Sequence, residues 1–200
     1  MRKLTLIAAF FVFALPVLAH AQAADVGIGF GTLVAPSASS ADTSHFPQSI
    51  RGGLYTSFRA DVFLKKHLGF NGEVAWRNSM NGYNTGLGFL VPFRPILYDF
   101  NAVYGARFNK LVGADVMAGI GGEDIRFYSS QFNCGFTGCT NYTSSSHFLT
   151  HIGGDVRLYA HGNFFIRPEA HWYYVHNNNE FSSNSMTRFD ISIGYSFFGQ

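Results

Sequence analysis

Three sets of side chains in this 200-residue sequence could do chemistry. The first is four histidines, His147, His151, His171 and His176, with Glu169 among them. An imidazole beside a carboxylate can act as a general base, and with a serine hydroxyl it can drive hydrolysis or acyl transfer on a lipid. No spacing here matches a nucleophile, a base and an orienting acid, so the competing reading is that His151 and His171 fill space in the interior. The second set is Cys134 and Cys139, in Phe132-Asn133-Cys134-Gly135-Phe136-Thr137-Gly138-Cys139. A zinc site would need further ligands at suitable spacing, and none is nearby. A disulfide closing a small loop is expected instead, with no metal or cofactor. The third set is ionic: Arg59, Glu73, Arg77, Asp99, Arg107, Asp115, Asp155, Arg157, Arg167, Glu169, Arg188 and Asp190. Both signs occur at alternate positions of otherwise apolar segments, which is the pattern of ion pairs facing one another inside something narrow.

The segments that carry these charges read as strands. From Thr187 to Phe197, the residues Thr187, Phe189, Ile191, Ile193, Tyr195 and Phe197 alternate with Arg188, Asp190, Ser192, Gly194 and Ser196. A period of two places one face in an apolar environment and the other in a polar one. The same alternation predicts seven further strands, at about Asp25 to Leu33, Gly53 to Leu64, Leu68 to Arg77, Ile96 to Phe108, Val112 to Tyr128, Phe148 to Ala160 and Phe164 to Val175. Lys65-Lys66-His67, Asn109-Lys110 and His161-Gly162-Asn163 make short turns, and the first of them puts Arg59 opposite Glu73. The third hairpin places Asp155 near Arg167 and Arg157 near Glu169. A bulge at Gly121-Gly122 is expected to turn Asp124 and Arg126 inward and Ile125 and Phe127 outward, because the opposite phase puts charges on the apolar side. Pro168 falls among the outward residues and should weaken its ladder.

Position in the cell follows from the amino terminus. Met1 is followed by Arg2, Lys3, an apolar stretch from Leu4 to Leu18 and the small-residue site Ala19-His20-Ala21. Residues 1–21 read as a signal peptide cleaved after Ala21, and residues 22–200 as one domain. No later run is long and apolar enough for a spanning helix, so a membrane protein built from this chain must be a closed barrel, whose backbone groups satisfy one another. The composition, 17% aromatic and 13% charged with 22 Gly, suits a wall with one apolar face and one lined by small residues. A net charge of +2 from scattered Arg points to no nucleic-acid partner. Long connections at Ala35 to Ser49, Ser79 to Pro95, Ser129 to His147 and Asn177 to Ser185 alternate with the short turns. Such alternation fits a barrel with short periplasmic turns and long external loops. The fold class predicted is all-β, an eight-stranded antiparallel up-and-down transmembrane β-barrel in the bacterial outer membrane. Ten strands would result if residues 84–95 formed an additional hairpin arm.

The chain resembles the small eight-stranded outer-membrane barrels of the OmpA/OmpX-like type in its signal, its four hairpins and its terminal strand Ile193-Gly194-Tyr195-Ser196-Phe197. That resemblance implies an assembly signal at Gly194, Tyr195 and Phe197 read by the barrel-assembly machinery, with outer-membrane lipids and lipopolysaccharide as surroundings. Phe198-Gly199-Gln200 follow the expected final aromatic, which leaves Phe197 and Phe198 as alternatives for the recognised residue. Function divides three ways. A charge-filled lumen points to a structural or surface-interaction protein, with an extracellular ligand held by loops such as Ser129 to Ser146 and Asn177-Asn178-Asn179. The alternatives are a narrow porin-like channel for ions or small solutes and an outer-membrane lipid-modifying enzyme using the histidines.

Overall fold

The computed structural model describes residues 23–36, 48–84, 90–135 and 138–197. The signal segment 1–21 and the residues after Phe197 lie outside the described residues. Nine strands are present among the described residues: β1 (Ala23–Val34), β2 (Leu54–Phe63), β3 (Leu68–Arg77), β4 (Asn81–Asn84), β5 (Leu90–Arg107), β6 (Val112–Gly135), β7 (Gly138–His161), β8 (Phe164–Val175) and β9 (Ser185–Phe197). Each wall strand pairs antiparallel with its neighbours, β1 pairs with β9, and β3 pairs with β5, so the sheet closes. β4 pairs only with the outer end of β5, from Asn81↔Phe93 to Asn84↔Leu90. The wall is therefore eight-stranded, and β4 with the end of β5 that it pairs forms an arm on it rather than two more wall strands. Among the described residues no helix is long and apolar enough to cross a membrane.

The two-residue period acts inside out relative to a soluble protein. In β8 exposed and buried positions alternate without a break from Phe164 to Val175. The exposed positions around the barrel are large and apolar, with Phe100 67% and Ile193 65% exposed, while the buried ones include Arg59, Arg167, Arg188, Asp61 and Asp99. In water such a belt would leave about 1.5–3 kcal/mol unrealised per large apolar side chain. Such a belt suits a lipid surrounding, and closure leaves no edge of the wall strands unpaired for it to meet.

The lumen is layered. At the long-loop end, Leu33, Tyr55, Phe93, Leu97, Ile125, Leu149 and Tyr173 form an apolar plug with Ile50 and Phe181 from the connecting segments. At the short-turn end Ala23, Phe63, Val103 and Met117 form a smaller one. The paired charges lie between them, while buried Arg77 and Glu123 stand at the height of the long-loop plug, opposite Tyr55 and Leu97.

Three expectations meet the structure differently. Pro168 has the anticipated effect: the β7–β8 ladder skips the positions that would pair Val156 and Arg157 with Pro168 and Arg167, because proline lacks the N–H. The Gly121-Gly122 bulge is absent. Pairing of β5 with β6 runs unbroken from Arg107↔Gly113 to Phe93↔Phe127, which leaves Ile125 inward at 0% exposure and Asp124 and Arg126 outward, ion-paired at 3.3 Å. At that height the usual preference inverts: the inside is the apolar plug, and the outside has left the apolar belt. The stretch Ser129 to His147 also departs from the loop reading. β6 and β7 are 24 residues each and continue as a two-stranded ribbon to Cys134↔Cys139, with a register shift between Tyr128 and Asn133. Both ribbon faces are polar, so no hydrophobic period betrays the strands.

Candidate functional site: the charged lumen and its outer cover

Arg59 occupies the centre of the lumen at 2% exposure. It enters from β2 because Arg59 shares the inward face with Ser57 and Asp61. Its Nη1 donates to Asp155 at 2.7 Å and Glu169 at 2.9 Å, and its Nε donates to Asp61 at 2.9 Å. Arg167 donates to Asp61 at 2.9 Å and Glu169 at 3.1 Å. Nearer the short-turn end, Arg157 bridges Asp25 and Asp115, both at 2.6 Å. Nearer the plug, Arg188 holds Asp190 at 2.5 Å and also pairs with Glu73. Asn71 and Asn101 extend the network, Asn71 donating to Asp61 and Asn101 to Asn71 and Asp99. Asp99 carries no arginine partner among the described residues; His151 Nδ1 lies 3.6 Å from it.

Several pairings differ from the sequence reading. Arg59 does stand opposite Glu73 in the β2–β3 register, yet its ion pairs go to Asp61 on its own strand and across the lumen, and Glu73 goes to Arg188. The expected diagonals Asp155 with Arg167 and Arg157 with Glu169 are replaced by Asp155 with Arg59, and by Arg157 with Asp25 and Asp115. Arg107 lies outside the network: it donates to the Asn109 and Lys110 carbonyls and lies 4.0 Å over the Tyr159 ring. Being at the end of β5, it reaches past the last charged layer. Arg77 is buried beneath Gly53, with Nε and Nη1 making no hydrogen bond among the described residues. Asp25 and Asp61 also belong to the network, and the alternation of their strands puts both on the inward face. Glu123 is fully buried because the bulge is absent, and neither of its carboxylate oxygens has a hydrogen-bond partner among the described residues.

The four histidines do not converge. His151 and His171 are buried in the lumen, 3.0 Å apart, and His151 stacks on Tyr173 at 4.7 Å. His176 packs on Phe148 and Tyr174. His147 sits at the rim, where its Nε2 faces Ser145 Oγ at 3.1 Å and Glu180 at 3.1 Å. Serine and carboxylate meet the same ring nitrogen, so the carboxylate cannot orient the imidazole through its other nitrogen as a hydrolytic triad requires.

That rim group is a latch. Ser145 donates to Glu180 at 2.5 Å, Tyr83 donates to the Glu180 carbonyl at 3.0 Å, and the backbones of Gln48 and Ser182 are hydrogen-bonded. Together they hold the segment between β8 and β9 over the plug. Partial burial pushes the Glu180 carboxyl up, but hydrogen bonds from Ser145 and the backbone, with His147 beside it, outweigh this and hold it below its ordinary value. A depressed carboxylate contributes stability that is complete above its unfolded value and is lost as pH falls through the lower folded one. The protection factors of amides 177–184, which take out the intrinsic slowing of exchange with falling pH, should therefore hold down to about pH 4.5 and fall at more acid pH. Glu180→Gln should raise exchange at neutral pH and remove that acid dependence; a profile identical to wild type would show that Glu180 does not hold the segment.

No protein-family model matches this sequence. No curated protein matches it either. Solved structures do. Ail, the attachment invasion locus protein of Yersinia pestis in complex with the heparin analogue sucrose octasulfate, is 15% identical with a TM-score of 0.55, covering 88% of this chain and 98% of its own. The N-terminal β-barrel domain of Pseudomonas aeruginosa OprF is 13% identical with a TM-score of 0.55, over 88% of this chain and 98% of that one. The outer membrane protein OprG of Pseudomonas aeruginosa is 11% identical with a TM-score of 0.57, over 90% and 98%. With the layered lumen and the outward apolar belt, these likenesses establish the fold as the small eight-stranded transmembrane barrel seen in outer-membrane proteins.

Proposed function

We propose that this chain is an integral protein of a bacterial outer membrane whose barrel is a closed anchor and whose outer ribbon and loops are its working surface. In this reading residues 1–21 direct export and are removed after Ala21. The observation that carries it is the filling of the lumen among the described residues: an apolar plug, a layer of paired charges and a smaller apolar cluster follow one another along the barrel. Eight-stranded barrels have interiors that side chains can fill, and these do so. The long-loop end, by contrast, raises a ribbon lined by Ser129, Gln131, Thr140, Asn141 and Tyr142, with Phe132 exposed and the tip joined by the Cys134–Cys139 disulfide. Hydroxyls, amides and aromatic rings on a raised surface suit recognition of an extracellular ligand. Ail, which shares the fold, was solved with a heparin analogue, and that supports a surface-binding role. Gly194, Tyr195 and Phe197 lie on β9 at the short-turn end, where the assembly machinery would read them, and lipopolysaccharide would flank the outer belt. The histidine positions favour no enzyme. Purified, refolded protein in planar bilayers should show no unitary current steps; reproducible steps from the folded barrel would replace this reading with the channel.

A further inference from the structure

Nine buried carboxylates share the interior with five buried guanidiniums among the described residues. A low-dielectric lumen cannot hold that excess of negative charge without protons or cations. The hydrogen-bond directions show where one is needed. Asn101 donates through Nδ2, so its Oδ1 accepts from His151 Nδ1 at 2.7 Å. The bare His151 Nε2 then accepts from His171 Nδ1 at 3.0 Å. This leaves the His171 Nε2 lone pair facing a Glu169 carboxylate oxygen at 3.2 Å, acceptor against acceptor. Close by, Glu73 Oε2 is buried with no hydrogen-bond partner among the described residues and lies 3.9 Å from His171 Nδ1. One ligand atom from each of Glu73, Glu169 and His171 falls within 4.8 Å of the others.

We infer that the lumen binds a divalent transition-metal ion through Glu73, Glu169 and His171. Two ligands on one zinc ion, with bonds of about 2.0–2.2 Å, stand roughly 3–4 Å apart, so small rotations of these side chains complete the site. An imidazole with two carboxylates selects the zinc class over magnesium or calcium, which prefer all-oxygen sets. The carboxylates are already oriented from outside: Glu73 by Arg188, and Glu169 by Arg167 and Arg59. Apolar clusters stand at both ends of the lumen, and in this proposal the ion enters while the barrel folds.

The test is refolding of the mature protein with zinc, removal of loose metal by chelator and desalting, and elemental analysis. About one zinc per barrel is expected, and near zero in His171→Gln, whose amide keeps the size of the ring and can still donate to Glu169. Should H171Q not fold, refolding wild type with Co²⁺ decides by itself: visible bands of cobalt held by nitrogen and oxygen that survive the chelator support the site. A folded wild-type barrel free of zinc and of cobalt bands, or zinc retained equally in folded H171Q, overturns it and leaves a proton between His171 and Glu169.

Discussion

Arg59→Met is expected to lower the unfolding free energy of the refolded barrel by about 3–5 kcal/mol, the range for removing one partner of a buried ion pair. Methionine preserves most of the side-chain volume, so the effect isolates the charge. Asp115 and Asp155 stand directly opposite each other on β6 and β7, a like-charge pair on one face of a sheet. Arg59 lies 2.7 Å from Asp155 and 3.9 Å from Asp115, and it spans the two. Without it Asp115 retains Arg157, Asp61 retains Arg167, and Asp155 is left without an ion-pair partner among the described residues. The measurements are the urea midpoint and the temperature at which the folded band on an unheated gel converts to the unfolded one. Asp155→Asn in the Arg59→Met background should recover part of the loss, since the uncompensated charge rather than the missing hydrogen bonds is the larger cost. An unshifted midpoint for the single variant would mean that the arginine does not hold the network.

Gly119→Val should abolish the heat-resistant barrel altogether. Gly119 faces inward on β6 opposite Asn101, and a Cβ there would overlap the Phe100 carbonyl and the Asn101 side chain. The obstruction is the backbone of the adjoining strand, which cannot rotate away as a side chain would, so the penalty lies at or beyond the upper end of the roughly 1–3 kcal/mol usual for overpacking. Asn101 also anchors His151, so displacement there propagates to the buried histidine pair. Gly72→Ala is the control: its Cβ would meet the Phe100 ring at an ordinary 3.5 Å, and the change should stay within about 0.5 kcal/mol. Retention of the folded band in G119V would show that β5 and β6 can separate at this level.

Which side chains enter the lumen was legible from the sequence, because a strand has one periodicity and it is visible in Arg188, Asp190 and Ser192 as plainly as in Arg157 and Asp155. Partnership was not legible. Arg59 meets Asp155 and Glu169 from the far wall, 96 and 110 residues away, and which azimuth faces which depends on strand tilt and stagger, which no local spacing encodes. The ribbon escaped for a different reason. A strand is recognised by contrast between its faces, and Ser144, Ser145 and Ser146 offer none once both faces meet water. The misplaced bulge at Gly121-Gly122 shows the same limit: Ile125 turns inward because the environment changes with height along one strand, while its period does not.

The seam between β1 and β9 sets the order in which the molecule can come into being. Most wall neighbours are joined by the hairpin or loop between them, but Ser196 reaches Asp25 across 171 residues, and pairing runs from Ala24↔Phe197 to Val34↔Thr187 without interruption. Closing so long a chain segment loses entropy before any contact rewards it, so folding to a closed barrel is intrinsically slow. Until the ninth strand arrives, the edge of β1 stays open and able to pair with another chain. Time spent unclosed, rather than strength once closed, is then the vulnerable quantity for this protein.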